Sequence, residues 1–143
     1  MIELRRSAYD ELVYLAYQGD DREVCGILGG EYGDDHTIVH EVHSAENVAE
    51  TPQIRYAIDP AEQLEITESI EGNDLDVAGF FHSHPTGPTE PSDTDEARAT
   101  WPDLSYLIVA LDGYPYVGSW RWRAERDTFE LERVRVTADR ENR

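Results

Sequence analysis

The sequence predicts an α/β (α+β) fold, a mixed central β-sheet flanked by helices, and two patterns carry that prediction. Short apolar runs that suit strands alternate with two stretches of helical periodicity, and a final series of strand candidates follows with turns between them. At 143 residues the chain has room for one sizeable core and too little for two. Residues 1–143 are therefore expected to form a single domain, with the charged last few residues fraying.

Each element has its own warrant. Ser7 followed by Asp10 makes a capping-box-like start, and Tyr9, Leu12, Val13 and Ala16 recur at helical spacing. An amphipathic helix over 7–18 follows, ending near Gly19. Residues 24–30 are short, apolar and glycine-rich, which suits a buried strand with close backbone neighbours. Residues 36–48 carry Ile38, Val39, Val42 and Val48 and predict a strand paired with the first through a turn at 32–35. A short strand is expected over 54–58. Asp59 and Pro60 then open a second helix, proline being suited to a first turn, and the helix runs to about Ile70. Gly72, Asn73 and Asp74 break it before a strand over 77–82. Residues 85–91 hold three prolines and a glycine, a stiffened loop, ahead of a short helix starting at Ser92. Strands over 104–111, 114–123 and 128–136 complete the chain, the last two as a hairpin.

Composition narrows the chemistry. No apolar run approaches the roughly 18 residues that a membrane span requires, and the stretch from Met1 to Val13 lacks the apolar core of a signal peptide. A soluble, cytoplasmic protein with no membrane partner is expected. Cys25 is the only cysteine, so an internal disulfide and a cysteine zinc cage are both excluded, and any metal must be held by histidine and carboxylate. The formal charge is −19, and all 12 basic residues are arginine. Such a field repels nucleic acid and anionic membranes. Its self-repulsion is screened at about 1 M salt, where the Debye length is about 3 Å, so a salt-rich cytoplasm is the expected setting.

The chemistry concentrates between Gly79 and Asp95. Alternate side chains of a strand share a face, so His82 and His84 project together with Cα atoms about 6.6 Å apart, close enough for two imidazoles to converge on one ion. Phe81 and Ser83 point the other way. The proline-bearing loop reverses the chain, and a helix from Ser92 carries Asp95 in its first turn, where the helix dipole favours a carboxylate. Two nitrogens and one oxygen leave a fourth position for water, as in catalytic rather than structural zinc sites. Alone, a His-x-His pair is more often two surface histidines, and Ser92-x-x-Asp95 is an ordinary helix cap. Their combination across a loop of fixed length points to a metal.

His82-x-His84, seven intervening residues, Ser92, two more and Asp95 resemble the JAMM (MPN+) signature of zinc-dependent isopeptidases. The resemblance extends over most of the chain, through the segments starting at Arg22, Tyr56 and Leu107. It implies the MPN/JAMM, cytidine-deaminase-like fold, one Zn2+ with a catalytic water held by His82, His84 and Asp95, Glu23 as general base and Ser92 as oxyanion donor. It also implies hydrolysis after the C-terminal glycine of a ubiquitin-like modifier, in the manner of desampylase-type isopeptidases, with small archaeal modifier proteins and their conjugates as partners. Two alternatives stand beside it: processing of a sulfur-carrier protein, and a noncatalytic MPN scaffold. The chain is compact and lacks room for the two insertions by which eukaryotic members grip one ubiquitin linkage. With no lysine, it also offers conjugation machinery no side-chain attachment point.

Other readings of these residues are weaker. A serine nucleophile at Ser92 needs a histidine base, and both nearby histidines are better used as ligands. A deaminase-type zinc site lacks its paired cysteines. His36, His40 and His43 are expected to be exposed, Cys25 to be a small core residue, and Trp101, Trp120 and Trp122 to be core or interface aromatics.

Overall fold

The structure, a computed structural model, describes residues 1–99, 101–112 and 116–139. Along the chain run β1 (Ile2–Arg5), α1 (Arg6–Gln18), β2 (Cys25–Glu31), β3 (Thr37–Ala45), α2 (Pro60–Gly72), β4 (Asp76–His84), α3 (Asp93–Arg98), β5 (Ser105–Ala110), β6 (Tyr116–Arg123), β7 (Thr128–Glu132) and β8 (Val134–Thr137). Among the described residues eight strands form one sheet in the order β7-β6-β5-β4-β2-β3-β1-β8. It is mixed, as expected: β2 pairs antiparallel with β3 and β4, whereas β4 runs parallel to β5 and β1 parallel to both β3 and β8. No helix among the described residues is long and apolar enough to cross a membrane.

The helices cover opposite faces. Ala8, Leu12 and Ala16 of α1 bury against Ile2, Leu4, Leu28, Phe81 and Leu107. Ile70 of α2 buries on the other face with Ile27, Phe80, Tyr106 and Trp122. Alternation along β4 therefore sends Phe81 to the first core and Phe80, with His82 and His84, to the second. Glycines let the central strands approach: a Cβ on Gly79 would lie 2.3 Å from the Ser105 carbonyl oxygen, and one on Gly26 2.1 Å from that of His43.

Four expectations are corrected. The first strand, β1, was not foreseen, because four residues running directly into a helix give too little periodicity to read. Helix α1 consequently starts at Arg6 with Arg5 at its N-cap and no side-chain cap, so Ser7 and Asp10 do not form a capping box. Instead Ser7 donates to Asp139 and Arg6 pairs with Asp10. The expected strand over 54–58 does not form, and β3 stops at Ala45 rather than 48. Asn47 explains both: its amide donates to the carbonyls of Glu23 and Arg55, and its oxygen accepts from the amides of Ala49 and Ala57. Backbone groups that a ladder would use are spent on one side chain. Finally, the strand expected over 128–136 divides at Arg133: β7 continues the hairpin with β6, and β8 joins β1 at the far end of the sheet order. The expected beginning of β6 at 114 and the fraying of the last residues, beyond 139, lie outside the described residues.

Candidate metal centre

Three elements converge on the α2 side of the sheet. Strand β4 extends through His84, two residues past the expected end, and carries both histidines, His82 1% and His84 7% exposed. Ser92 caps α3 by accepting from the Asp95 amide at 3.1 Å, and Asp95 returns the bond by accepting from the Ser92 amide at 2.8 Å. This capping box fixes the carboxylate at N3. The loop between is held to the sheet by Trp120, whose indole N–H donates to the Thr89 carbonyl at 2.8 Å. Glu23, just before β2, is placed against β4 because the Val24 amide donates to Ser83 Oγ and the Ser83 amide to the Val24 carbonyl.

The result is a tight triangle. His82 Nε2 lies 3.2 Å from His84 Nε2 and 3.1 Å from Asp95 Oδ2, and His84 Nε2 lies 3.3 Å from the same oxygen. Ligands about 2.0–2.1 Å from a shared tetrahedral centre are about 3.3 Å apart, which is this spacing. Glu23 brings a carboxylate oxygen within 4.8 Å of the histidine nitrogens, a wider gap that suits an intervening water better than direct ligation.

The protonation of His84 supplies a second test of fit. Its Nδ1 stands 2.7 Å from the Pro88 carbonyl oxygen and must donate to it. A neutral His84 therefore aims a lone pair from Nε2 at an Asp95 oxygen that is itself a lone-pair donor. Only a proton or a cation between them makes that arrangement attractive. Burial alone would lower the His84 pKa, yet its bonds to Asp95 and Pro88 raise it. Burial would raise the Asp95 pKa, yet the two histidines hold its carboxyl far below the usual range. His82, fully enclosed, is pushed down by burial. The lone pairs of His84 Nε2 and Asp95 Oδ2, 3.3 Å apart, call for a cation between them, and the donor set fits a zinc ion.

Glu23 is 5% exposed, and burial pushes its carboxyl up to about 7, with the Asp95 charge adding to the effect. One of its oxygens, Oε1, is buried without a hydrogen-bond partner among the described residues. A carboxyl with that pKa is suited to trading protons near neutrality.

The structure thus brings Glu23, His82, His84, Ser92 and Asp95 together, and it also adds residues that the sequence reading passed over. Tyr56 stacks on the His82 ring at 4.5 Å between centroids and 23° between planes. Among the described residues His82 Nδ1 has no hydrogen-bond partner, so the tyrosine face orients this imidazole where a carbonyl orients its neighbour. Nothing in the local pattern of residues 54–60, which holds one aromatic side chain, marks Tyr56 as a partner of His82. His36, His40 and His43 pair instead with Glu3, Glu31 and Glu41, away from the triangle. Cys25 is buried, and burial pushes its thiol up to about 12, so it is an inert core residue. Trp122 is core, Trp120 clamps the loop, and Trp101 is 43% exposed.

Comparison with known proteins places this geometry in context. Residues 5–125 match the family described as prokaryotic homologs of the JAB domain. The desampylase of Haloferax volcanii is 38% identical over 123 residues, covering 83% of this chain and 87% of that protein. The CysO-cysteine peptidase of Mycobacterium tuberculosis is 31% identical over 110 residues, 77% of this chain and 73% of that protein. A solution structure of a Desulfitobacterium hafniense protein superposes with a TM-score of 0.87 at 32% identity, covering 97% of this chain and 94% of that one.

Proposed function

The chain belongs to the prokaryotic homologs of the JAB domain, and from that premise we propose that its 143 residues work as one zinc-dependent hydrolase domain of the JAMM type. It cuts the amide or isopeptide bond after the C-terminal glycine of a ubiquitin-like modifier. The single observation that carries this reading is the 3.1–3.3 Å triangle of His82, His84 and Asp95 with the Glu23 carboxyl beside it.

Zinc held by the triangle would supply Lewis-acid charge that brings the pKa of water toward about 7. Glu23, whose carboxyl stands beside the triangle, takes the proton from the attacking water. It then delivers the proton to the departing amine nitrogen. The Ser92 oxygen already accepts from the Asp95 amide, so its own O–H is available to donate to the oxyanion of the tetrahedral intermediate. Asp95 Oδ2 is held by the Ser92 amide, and His84 by the Pro88 carbonyl, which keeps two ligands oriented before substrate arrives.

The experiment is cleavage of a modifier joined through its terminal glycine to a lysine of a target. Zinc-loaded protein is expected to release both parts, and a chelator, Glu23→Ala or Asp95→Ala to abolish release, with Glu23→Ala still retaining one zinc per chain. Undiminished cleavage by the Asp95→Ala protein contradicts the site, and a wild-type protein that neither retains zinc nor cuts would instead be a noncatalytic scaffold. Similarity to a CysO-cysteine peptidase favours one second reading, the processing of a sulfur-carrier protein. A small archaeal modifier and a sulfur carrier assayed side by side separate the two. The high acidity supports a salt-rich cytoplasm as the working environment.

A further inference from the structure

Glu23 is held by more than the strand beside it. Its backbone amide donates to the Pro52 carbonyl at 2.7 Å, and its carbonyl accepts from Asn47 Nδ2 at 2.9 Å, so both backbone groups of the proposed base end on the segment 47–57. The antiparallel register that sets Cys25 opposite Ala45 brings Asn47 opposite Glu23, where β2 and β3 part. Asn47 is half-buried. Its Nδ2 also donates to the Arg55 carbonyl at 3.0 Å, while Oδ1 accepts from the Ala49 and Ala57 amides at 3.0 and 3.1 Å. Two donors and two lone pairs are the whole capacity of such an amide in this geometry, and each is used. The Val48 amide closes the same loop onto the Ala57 carbonyl at 2.9 Å. Tyr56, whose ring stacks on His82 at 4.5 Å, therefore sits between two residues whose backbone Asn47 holds.

We propose that Asn47 is a positioning residue for the hydrolysis: one side chain ties the backbone of Glu23 to the loop that seats Tyr56 on His82, so that the base and one ligand are set relative to each other before substrate arrives. The assignment rests on the hydrolase function proposed above. Asn47 touches none of the reacting atoms and acts through Glu23 and Tyr56. Pairing of β2 with its neighbours begins at Cys25, two residues later, so the place of Glu23 depends on these contacts rather than on a ladder. A general base works only within hydrogen-bond reach of its proton, and a misplacement of about 1 Å costs about 10²-fold in rate. The two halves of the amide have separate tasks. Its donor half holds the Glu23 and Arg55 carbonyls, and its acceptor half holds the Ala49 and Ala57 amides. Aspartate at this position keeps an oxygen for the two amides but turns a lone pair toward the two carbonyls in place of an N–H.

The test measures zinc-loaded Asn47→Asp and Asn47→Ala on a modifier-tail peptide joined to a lysine side chain. Ile2→Val, a buried position in β1 three strands from β4 in the sheet order, controls for general loss of stability. Asn47→Asp is expected to retain one zinc per chain and a KM within about twofold of wild type, and to lose about 10–100-fold in kcat. Asn47→Ala, which adds no charge, should lose at least as much, and Ile2→Val should keep the wild-type kcat. Cobalt-loaded protein reports on the ligands apart from activity. Its visible absorption should match wild type in Asn47→Asp, where the Tyr56 loop keeps its acceptor, and shift in Asn47→Ala, where the loop loses it. A wild-type kcat in either Asn47 variant, or a loss that Ile2→Val shares, overturns the positioning role and leaves the hydrolase function standing. An unshifted cobalt spectrum in Asn47→Ala overturns the tie to His82. Wild-type protein that cuts nothing overturns the function and the positioning role with it.

Discussion

At the scale of single residues, Glu23 carries the sharpest consequence. Its carboxyl keeps a proton to about pH 7 in the folded, metal-free protein, against 4.5 for an unperturbed glutamate. Between those values the folded state binds a proton that the unfolded state does not, so this residue's contribution to stability is fully present below about 4.5 and is lost as pH rises through 7. Glu23→Gln removes the dependence because glutamine does not titrate. In chelator, the unfolding free energy of wild type relative to Glu23→Gln, read by urea titration, should therefore fall between pH 5 and pH 7.5 by an amount on the order of 1–3 kcal/mol. Parallel pH curves for the two proteins would show that burial does not tune this carboxyl. The sequence could not single Glu23 out from 31 acidic residues on spacing, since what distinguishes it is enclosure beside β4. Tyr56 was silent for a related reason: stacking on His82 depends on a loop that Asn47 folds back, and no local pattern encodes that.

Among the elements, α3 is the one whose cap also enters the proposed chemistry. Ser92 and Asp95 satisfy one another's backbone amides, so Ser92 serves the helix and the proposed oxyanion contact at once. The two roles separate by substitution. Ser92→Ala should cost about 1 kcal/mol of stability and about 10²-fold or more in kcat. Ser92→Asp retains an acceptor for the Asp95 amide but offers no proton, so it should regain the stability and not the activity. Denaturant titration alongside steady-state kinetics reads both, and full activity in Ser92→Asp would remove Ser92 from the chemistry. This helix, its capping box and the two-residue spacing on β4 were legible in the sequence because each is a short-range pattern. The missing strand over 54–58 was not, because a single asparagine side chain outcompetes a ladder there.

Across the whole molecule, closure of the sheet depends on a buried polar network. Strands β7 and β8 stand at opposite ends of the sheet order yet only Arg133 separates them, so the sheet must curl until its ends meet. Inside the curl Arg121 pairs with Glu132, which also accepts from Ser105 Oγ at 2.6 Å and Ser119 Oγ at 2.9 Å, while Arg121 donates to the Gly33 and Asp34 carbonyls and to Thr37 Oγ1. These partners come from four parts of the chain: residues 33–37, β5, β6 and β7. The surface is governed instead by the net charge of −19, which repels itself most at low ionic strength. The melting temperature should rise steadily from about 0.1 M to about 1 M potassium chloride, as the Debye length falls from about 10 to about 3 Å. A melting temperature indifferent to salt would mean that acidity here is not an adaptation to it.

Taken by itself, the sequence determined the mixed α/β class, the alternation that puts His82 and His84 on one face, and the cap that presents Asp95. Those are consequences of backbone periodicity and hydrogen bonding over a few residues, which any local stretch of chain must obey. The tertiary structure decided that the histidine pair faces α2, that Glu23 is enclosed enough to hold its proton, that Tyr56 stacks on His82, and that one predicted strand is two at opposite ends of the sheet. Each of these depends on desolvation and packing between residues distant in sequence, and those energies exist only once the chain has folded.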